Sequence, residues 1–180
     1  MTEAGRRLSR KRIALTLATL ALCVLGPALT SCSSAADGAA DAADGRRQLP
    51  YWDEKATPGS VGAQLDIELP AKAADRRAAY QHGFQDDQLL LAFTLPTSKV
   101  DAFIEQLGPE RELRQRDKPR PDPVTPTAPF SHLGLEDPET LPDVLEGRIC
   151  SVCDGDPNAL KIAVHQLDDS TSRIYLRGVN

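Results

Sequence analysis

The apolar and polar positions of the chain change pattern several times, and each change predicts a different kind of element. Ile13 to Leu25 is apolar apart from two threonines and is closed by Gly26 and Pro27. Thirteen helical residues rise about 20 Å, short of a hydrocarbon core of about 30 Å, so this run is a secretory h-region rather than a spanning helix. Ser33 to Gly45 contains only Ala, Asp, Gly and Ser. With no large apolar side chain to bury, it cannot offset its ordering entropy and is expected to be disordered. From Val61 a period of two appears, with Val61, Ala63, Leu65, Ile67 and Leu69 set against Gly62, Gln64, Asp66 and Glu68, and it predicts a strand halted by Pro70. Ala78 to Phe84 and Leu89 to Leu95 flank Gln85-Asp86-Asp87 and predict a hairpin.

The next stretch changes period. Val100, Phe103, Ile104 and Leu107 lie at i, i+3, i+4 and i+7, opposite Lys99, Asp101, Glu105 and Gln106, which predicts an amphipathic helix from Thr97-Ser98 to Gly108-Pro109. Pro109 to Pro129 holds six prolines and few large apolar residues, and predicts an extended Pro-rich loop. Its Arg111, Arg114, Arg116, Lys118 and Arg120 are interspersed with Glu110, Glu112 and Asp117, the pattern of a solvated charge run. Leu141, Val144 and Leu145 predict a short helix around Thr140 to Glu146. Leu160, Ile162 and Val164, then Asp168-Asp169-Ser170, then Ile174 and Leu176 predict a second hairpin. Its other face presents His165, Arg173, Tyr175 and Arg177. If the helix or the loop covers that face, the cluster suits a carboxylate or phosphate ligand.

Together these elements predict an α+β domain over residues 59–180, with a mainly antiparallel sheet of five or six strands, one covering helix and the long loop. Residues 32–58 form the tether and residues 1–31 the signal peptide.

Charge narrows the function classes. The 180 residues carry 21 Lys+Arg and 26 Asp+Glu, and removing residues 1–31 takes away five cations and one anion. The remaining 16 cations against 25 anions give a net charge of −9, the wrong sign for nucleic-acid binding. The chain contains no Gly-x-Ser-x-Gly elbow, phosphate-cradling glycine loop or His-Glu-x-x-His, so the sequence names no enzyme and implies no cofactor.

Cys150-Ser151-Val152-Cys153 remains. In an exported chain these thiols are expected to form a local disulfide. The alternative is a redox or metal-handling pair. Asp154-Gly155-Asp156-Pro157 places negative charge beside the thiols, which opposes the lowered pKa that a redox pair needs. His82, His132 and His165 are scattered, so a zinc site would need convergence in the fold.

Arg6, Arg7, Arg10, Lys11 and Arg12 form the basic n-region, and Arg6-Arg7 leaves twin-arginine export open as an alternative to the general secretory route. Leu29-Thr30-Ser31-Cys32 resembles the lipobox of bacterial lipoproteins, in which the cysteine thiol takes the lipid. Ala79 to Asp87, Ala92-Phe93-Thr94-Leu95-Pro96, Ala128-Pro129-Phe130 and Ile162-Ala163-Val164-His165 resemble uncharacterised lipoproteins of high-GC Gram-positive bacteria. The resemblance implies lipidation, including palmitate, at Cys32, a membrane partner through that anchor and a place on the outer face of the cytoplasmic membrane. It assigns no catalytic residue. The expected product is a monomeric binding or accessory domain whose partner the sequence does not name.

Overall fold

The computed structural model describes residues 48–121, 126–155 and 157–180. The signal peptide, Cys32 and the tether through residue 47 lie outside the described residues. Its center is one antiparallel sheet in the order β1-β2-β3-β7-β6-β5-β4. The strands are β1 Tyr51–Trp52, β2 Ala74–His82, β3 Gln88–Pro96, β4 Arg114–Arg116, β5 Val144–Cys150, β6 Ala159–Gln166 and β7 Thr171–Val179. The architecture is α+β, with seven strands rather than five or six and two short helices, α1 Pro58–Gln64 and α2 Val100–Leu107.

Both predicted hairpins form, β2 with β3 and β6 with β7, and β7 then pairs with β3 along its whole length. The Leu89–Leu95 run is apolar at nearly every position because β3 is buried on both faces. Leu89, Leu91, Phe93 and Leu95 point to one face with Ile162, Val164, Ile174 and Leu176. α1 and α2 cover that face through Val61, Leu65, Val100 and Phe103. The Phe93 and Phe103 rings meet edge to face at 5.5 Å. α2 ends as its sequence predicts, at Gly108 in the left-handed region with φ 60°.

Three expectations are corrected. The segment from Val61 begins as α1, not as a strand. Thr57 caps it, its hydroxyl accepting the Ser60 N–H at 3.1 Å while Ser60 Oγ accepts the Thr57 N–H at 2.9 Å, and Pro58 occupies the first turn. The Thr140–Glu146 helix is replaced by a 3-10 turn, Pro138–Thr140, followed by β5. The stretch from Pro109 to Pro129 is not one extended loop, since Arg114–Arg116 adds β4 to the edge of β5. Arg116 fixes it there, donating from Nη1 to the carbonyls of Leu141 at 2.7 Å and Lys118 at 2.8 Å, and from Nη2 to that of Pro138 at 2.6 Å.

The sheet also starts earlier than residue 59, because Tyr51 and Trp52, within the segment read as tether, pair with His82 and Gln81. Both edges are thus very short strands, a form that limits edge-to-edge association.

The second face is closed by residues 126–141. Ala128, Phe130 and Leu141 bury against Ala79, Leu90, Ala92, Ala163 and Tyr175, with Trp52, Leu133 and Leu135 packed alongside. Trp52 stacks on His132 at 3.8 Å, so the only tryptophan holds this cover rather than standing free.

Candidate functional site

Strand alternation places the polar residues of the second hairpin on this covered face. His165 lies opposite Arg173, Ala163 opposite Tyr175 and Lys161 opposite Arg177. Tyr175 is buried, 4% exposed, with its ring edge to face on Phe130 at 5.0 Å, and burial pushes its phenol pKa up. Arg177 binds the cover directly. Its Nη1 donates to Glu139 Oε1 at 2.9 Å, its Nη2 to Asp137 Oδ1 at 3.3 Å, and its guanidinium carbon lies 5.1 Å from the Phe130 ring center.

Arg173 goes elsewhere. It meets Asp75 Oδ2 at 2.7 Å, and Asp75 also accepts from Arg77 Nε at 2.9 Å. This contact needs a bulge: the β2–β3 register shifts between Ala74 and Arg77, and Asp75 sits there with φ 41°. An aspartate tolerates that left-handed backbone, and the extra residue re-aims its carboxylate. Burial alone would raise the Asp75 pKa, but the Arg77 hydrogen bond and the Arg173 charge outweigh it and hold the carboxyl below its usual range. His165 is half-buried, and its imidazole makes no hydrogen bond or ion pair among the described residues. The four residues therefore do not act as one cluster.

Tyr175 and Arg177 instead form the inner wall of a cleft of about 480 Å³. Phe130, Pro138 and Glu139 contribute from the cover; Glu146, Gly147 and Arg148 from β5; Lys161, Ile162 and Ala163 from β6; and Glu110, Arg111, Glu112 and Arg114 from the segment before and in β4. Arg120 and Ser151 complete the rim. Among the described residues, six cations and four carboxylates line it.

Three of the carboxylates are occupied. Glu110 accepts from the Ser151 backbone N–H and from its hydroxyl, the latter at 2.8 Å, and these bonds lower its pKa. Glu139 holds Arg177, and Glu146 holds Arg120 at 2.7 Å and Arg116 at 3.3 Å. Arg111, Arg114 and Lys161 make no hydrogen bond or ion pair among the described residues, Arg148 donates to the Ser151 hydroxyl at 3.2 Å, and the charges of Arg148 and Arg111 also act on Glu110 and help to lower its pKa.

The sequence pattern missed Glu146 and Arg148 because residues 140–146 read as helical, whereas Lys161 stood in the alternation of the second hairpin with nothing in the sequence to single it out. Once β5 is placed, Glu146 and Arg148 alternate onto the same face as Lys161. The arginines of the charge run divide: Arg111, Arg114 and Arg120 reach the cleft, and Arg116 is tied down beside it.

Cys150 and Cys153 are joined by a disulfide with a Cα–Cα distance of 5.2 Å at the end of β5. Both pack against the helix-covered core, while Val152 between them is 88% exposed. Among the described residues no group of three or more histidine, cysteine and carboxylate side chains could hold a metal, and no helix is long and apolar enough to cross a membrane.

At the tip of the β2–β3 hairpin, Asp87 accepts from the Tyr80 hydroxyl and from the Gly83 N–H at 2.9 Å, and lies 3.4 Å from His82 Nδ1. Burial opposes ionisation, yet these donors hold the Asp87 pKa below its usual value. A lowered folded-state pKa adds stability above the unfolded aspartate value of about 3.9 that is lost as pH falls through the folded value. Asp87→Asn is expected to cost about 1 kcal/mol at pH 7. In urea titrations the gap to the parent protein should close below about pH 4. A gap that is constant from pH 7 to pH 2 would contradict this assignment.

No family model matches the chain, no curated protein matches it, and no solved structure matches it.

Proposed function

We propose that this chain is an extracytoplasmic lipoprotein, held at the outer face of the cytoplasmic membrane through lipidated Cys32, whose folded domain is a binding module working through the cleft. The cleft is the observation that carries the second half of this reading. Its volume lies within the range of small-molecule sites, about 300 to 1,000 Å³. Its inner wall sets the Tyr175 ring beside the Arg177 guanidinium, further polar groups converge around it, and its cover is fixed by ion pairs. The anchor rests on the sequence: a basic n-region, a short h-region and the Leu29–Cys32 motif, followed by a run of only Ala, Asp, Gly and Ser. A disulfide packed against the core favors the binding module over the alternative, a thiol-redox or metal-handling role for Cys150 and Cys153.

Cys32→Ala tests the anchor. Metabolic labeling with a palmitate analogue is expected to mark the parent protein and not the variant, which should accumulate as unprocessed precursor. A variant that matures to the parental size and still sediments with membranes would overturn lipidation at this residue.

A further inference from the structure

Charge accumulates in the cleft against the sign of the chain. The region from residue 32 onward carries 16 cations against 25 anions, yet six of those cations line this one cleft with four carboxylates. Setting aside the ion pairs leaves the excess of two positive charges in place. Glu139 and Glu146 are neutralised by Arg177 and Arg120, whereas Glu110 is held by the neutral Ser151 and keeps its charge beside Arg148 and Arg111. Arg111, Arg114 and Lys161 make no hydrogen bond or ion pair among the described residues, Arg148 donates only to the Ser151 hydroxyl, and Glu110 and Glu112 are the described lining carboxylates in no ion pair, so four cations face two carboxylates.

Like charges gathered around one concavity repel each other, and a bound anion with two or more charges offsets that repulsion. Guanidinium forks match the oxygen geometry of phosphate and carboxylate. Beside Arg177, the rest of the inner wall is of another character, since Tyr175 and Ala163 are buried and the Phe130 ring stands against Tyr175. A wholly polar ion would leave that wall unused. A long polyanion would meet the acidic remainder of the domain, so the field favors a small ligand.

We propose that the cleft binds a small organic anion carrying at least two negative charges, as phosphate or clustered carboxylates, on an apolar or aromatic body. Arg111, Arg114, Arg148 and Lys161 form the cationic rim, and Tyr175 with Phe130 receives the body. This rests on the reading of the domain as a binding module and names the ligand class for its cleft.

Calorimetric titration of the full mature lipoprotein in phosphatidylcholine nanodiscs tests it, with 1-naphthyl phosphate, 1-naphthol and inorganic phosphate as probes. 1-Naphthyl phosphate is expected to bind at least tenfold more tightly than either of the others. Arg114→Ala with Lys161→Ala should weaken it at least tenfold without changing the melting temperature, because neither side chain makes a hydrogen bond or ion pair among the described residues. Displacement by dihexanoyl phosphatidate and not by glycerol phosphate would place the natural phosphate on a lipid; the reverse would place it on a soluble compound. Equal binding of naphthol and naphthyl phosphate, or an unaffected double variant, would overturn the anion assignment while leaving a binding cleft. No binding by any probe would overturn the anion assignment and remove the support for the binding-module reading as well.

Discussion

Arg177→Ala is expected to release the 126–141 cover from the sheet and to lower stability by about 2 to 3 kcal/mol. The guanidinium sits between Glu139 and Asp137, whose side chains are 20% and 15% exposed. Asp137 Oδ1 also accepts the Phe130 N–H at 2.7 Å, so one carboxylate fastens both the arginine and the start of the cover. Removing one partner of a buried ion pair typically costs about 3 to 5 kcal/mol, because the other charge stays desolvated, and the partial exposure here reduces that figure. Hydrogen exchange locates the effect. Amides of residues 128–141 should lose protection while those of β3 and β7 keep theirs. Unchanged protection over the cover, with an unchanged denaturation midpoint, would show that apolar packing alone holds it.

Phe93→Ala should cost more, about 3 to 5 kcal/mol, and lower the melting temperature by about 10 to 20 °C. Phe93 is fully buried in a strand paired on both sides, and its ring is held edge to face by Phe103 of α2. Truncation opens a cavity where rigid neighbors from two layers meet and cannot collapse inward. Phe84, 86% exposed, gives the contrast: Phe84→Ser is expected to stay within about 0.5 kcal/mol of the parent. Equal midpoints for the two variants would mean that the helix-covered face is not the main core.

The two hairpins and α2 were legible because each shows a single period with a matching stop signal. Residues 61–69 were ambiguous for an arithmetic reason: positions 61, 65 and 69 fit an alternation of two and also the i, i+4 spacing of a helix. There the Thr57-Pro58-x-Ser60 start signal decided the outcome. β5 was hidden in the same way, since Leu141, Val144 and Leu145 stand at i, i+3 and i+4 while the strand's own alternation runs through charged residues. β4, with the sequence Arg-Gln-Arg, has no apolar alternation to show and is held by its ladder and by the anchoring of Arg116. The cleft was only half visible. Alternation grouped Tyr175 and Arg177 correctly, but the bulge at Asp75 draws Arg173 away, and the remaining cations arrive from segments distant in sequence.

The position of β7 has a consequence for the order of events during synthesis. This strand, Thr171–Val179, is the last of the described strands to leave the ribosome, yet it lies in the middle of the sheet and joins β3 to β6. Until it emerges, the β2–β3 and β5–β6 pairs have no shared neighbor, and each has one unpaired side. Such distant pairing makes assembly slow and concentrates it at the end of translation. A nascent chain ending before residue 171 therefore cannot close the sheet, because β3 and β6 have no strand between them to join them.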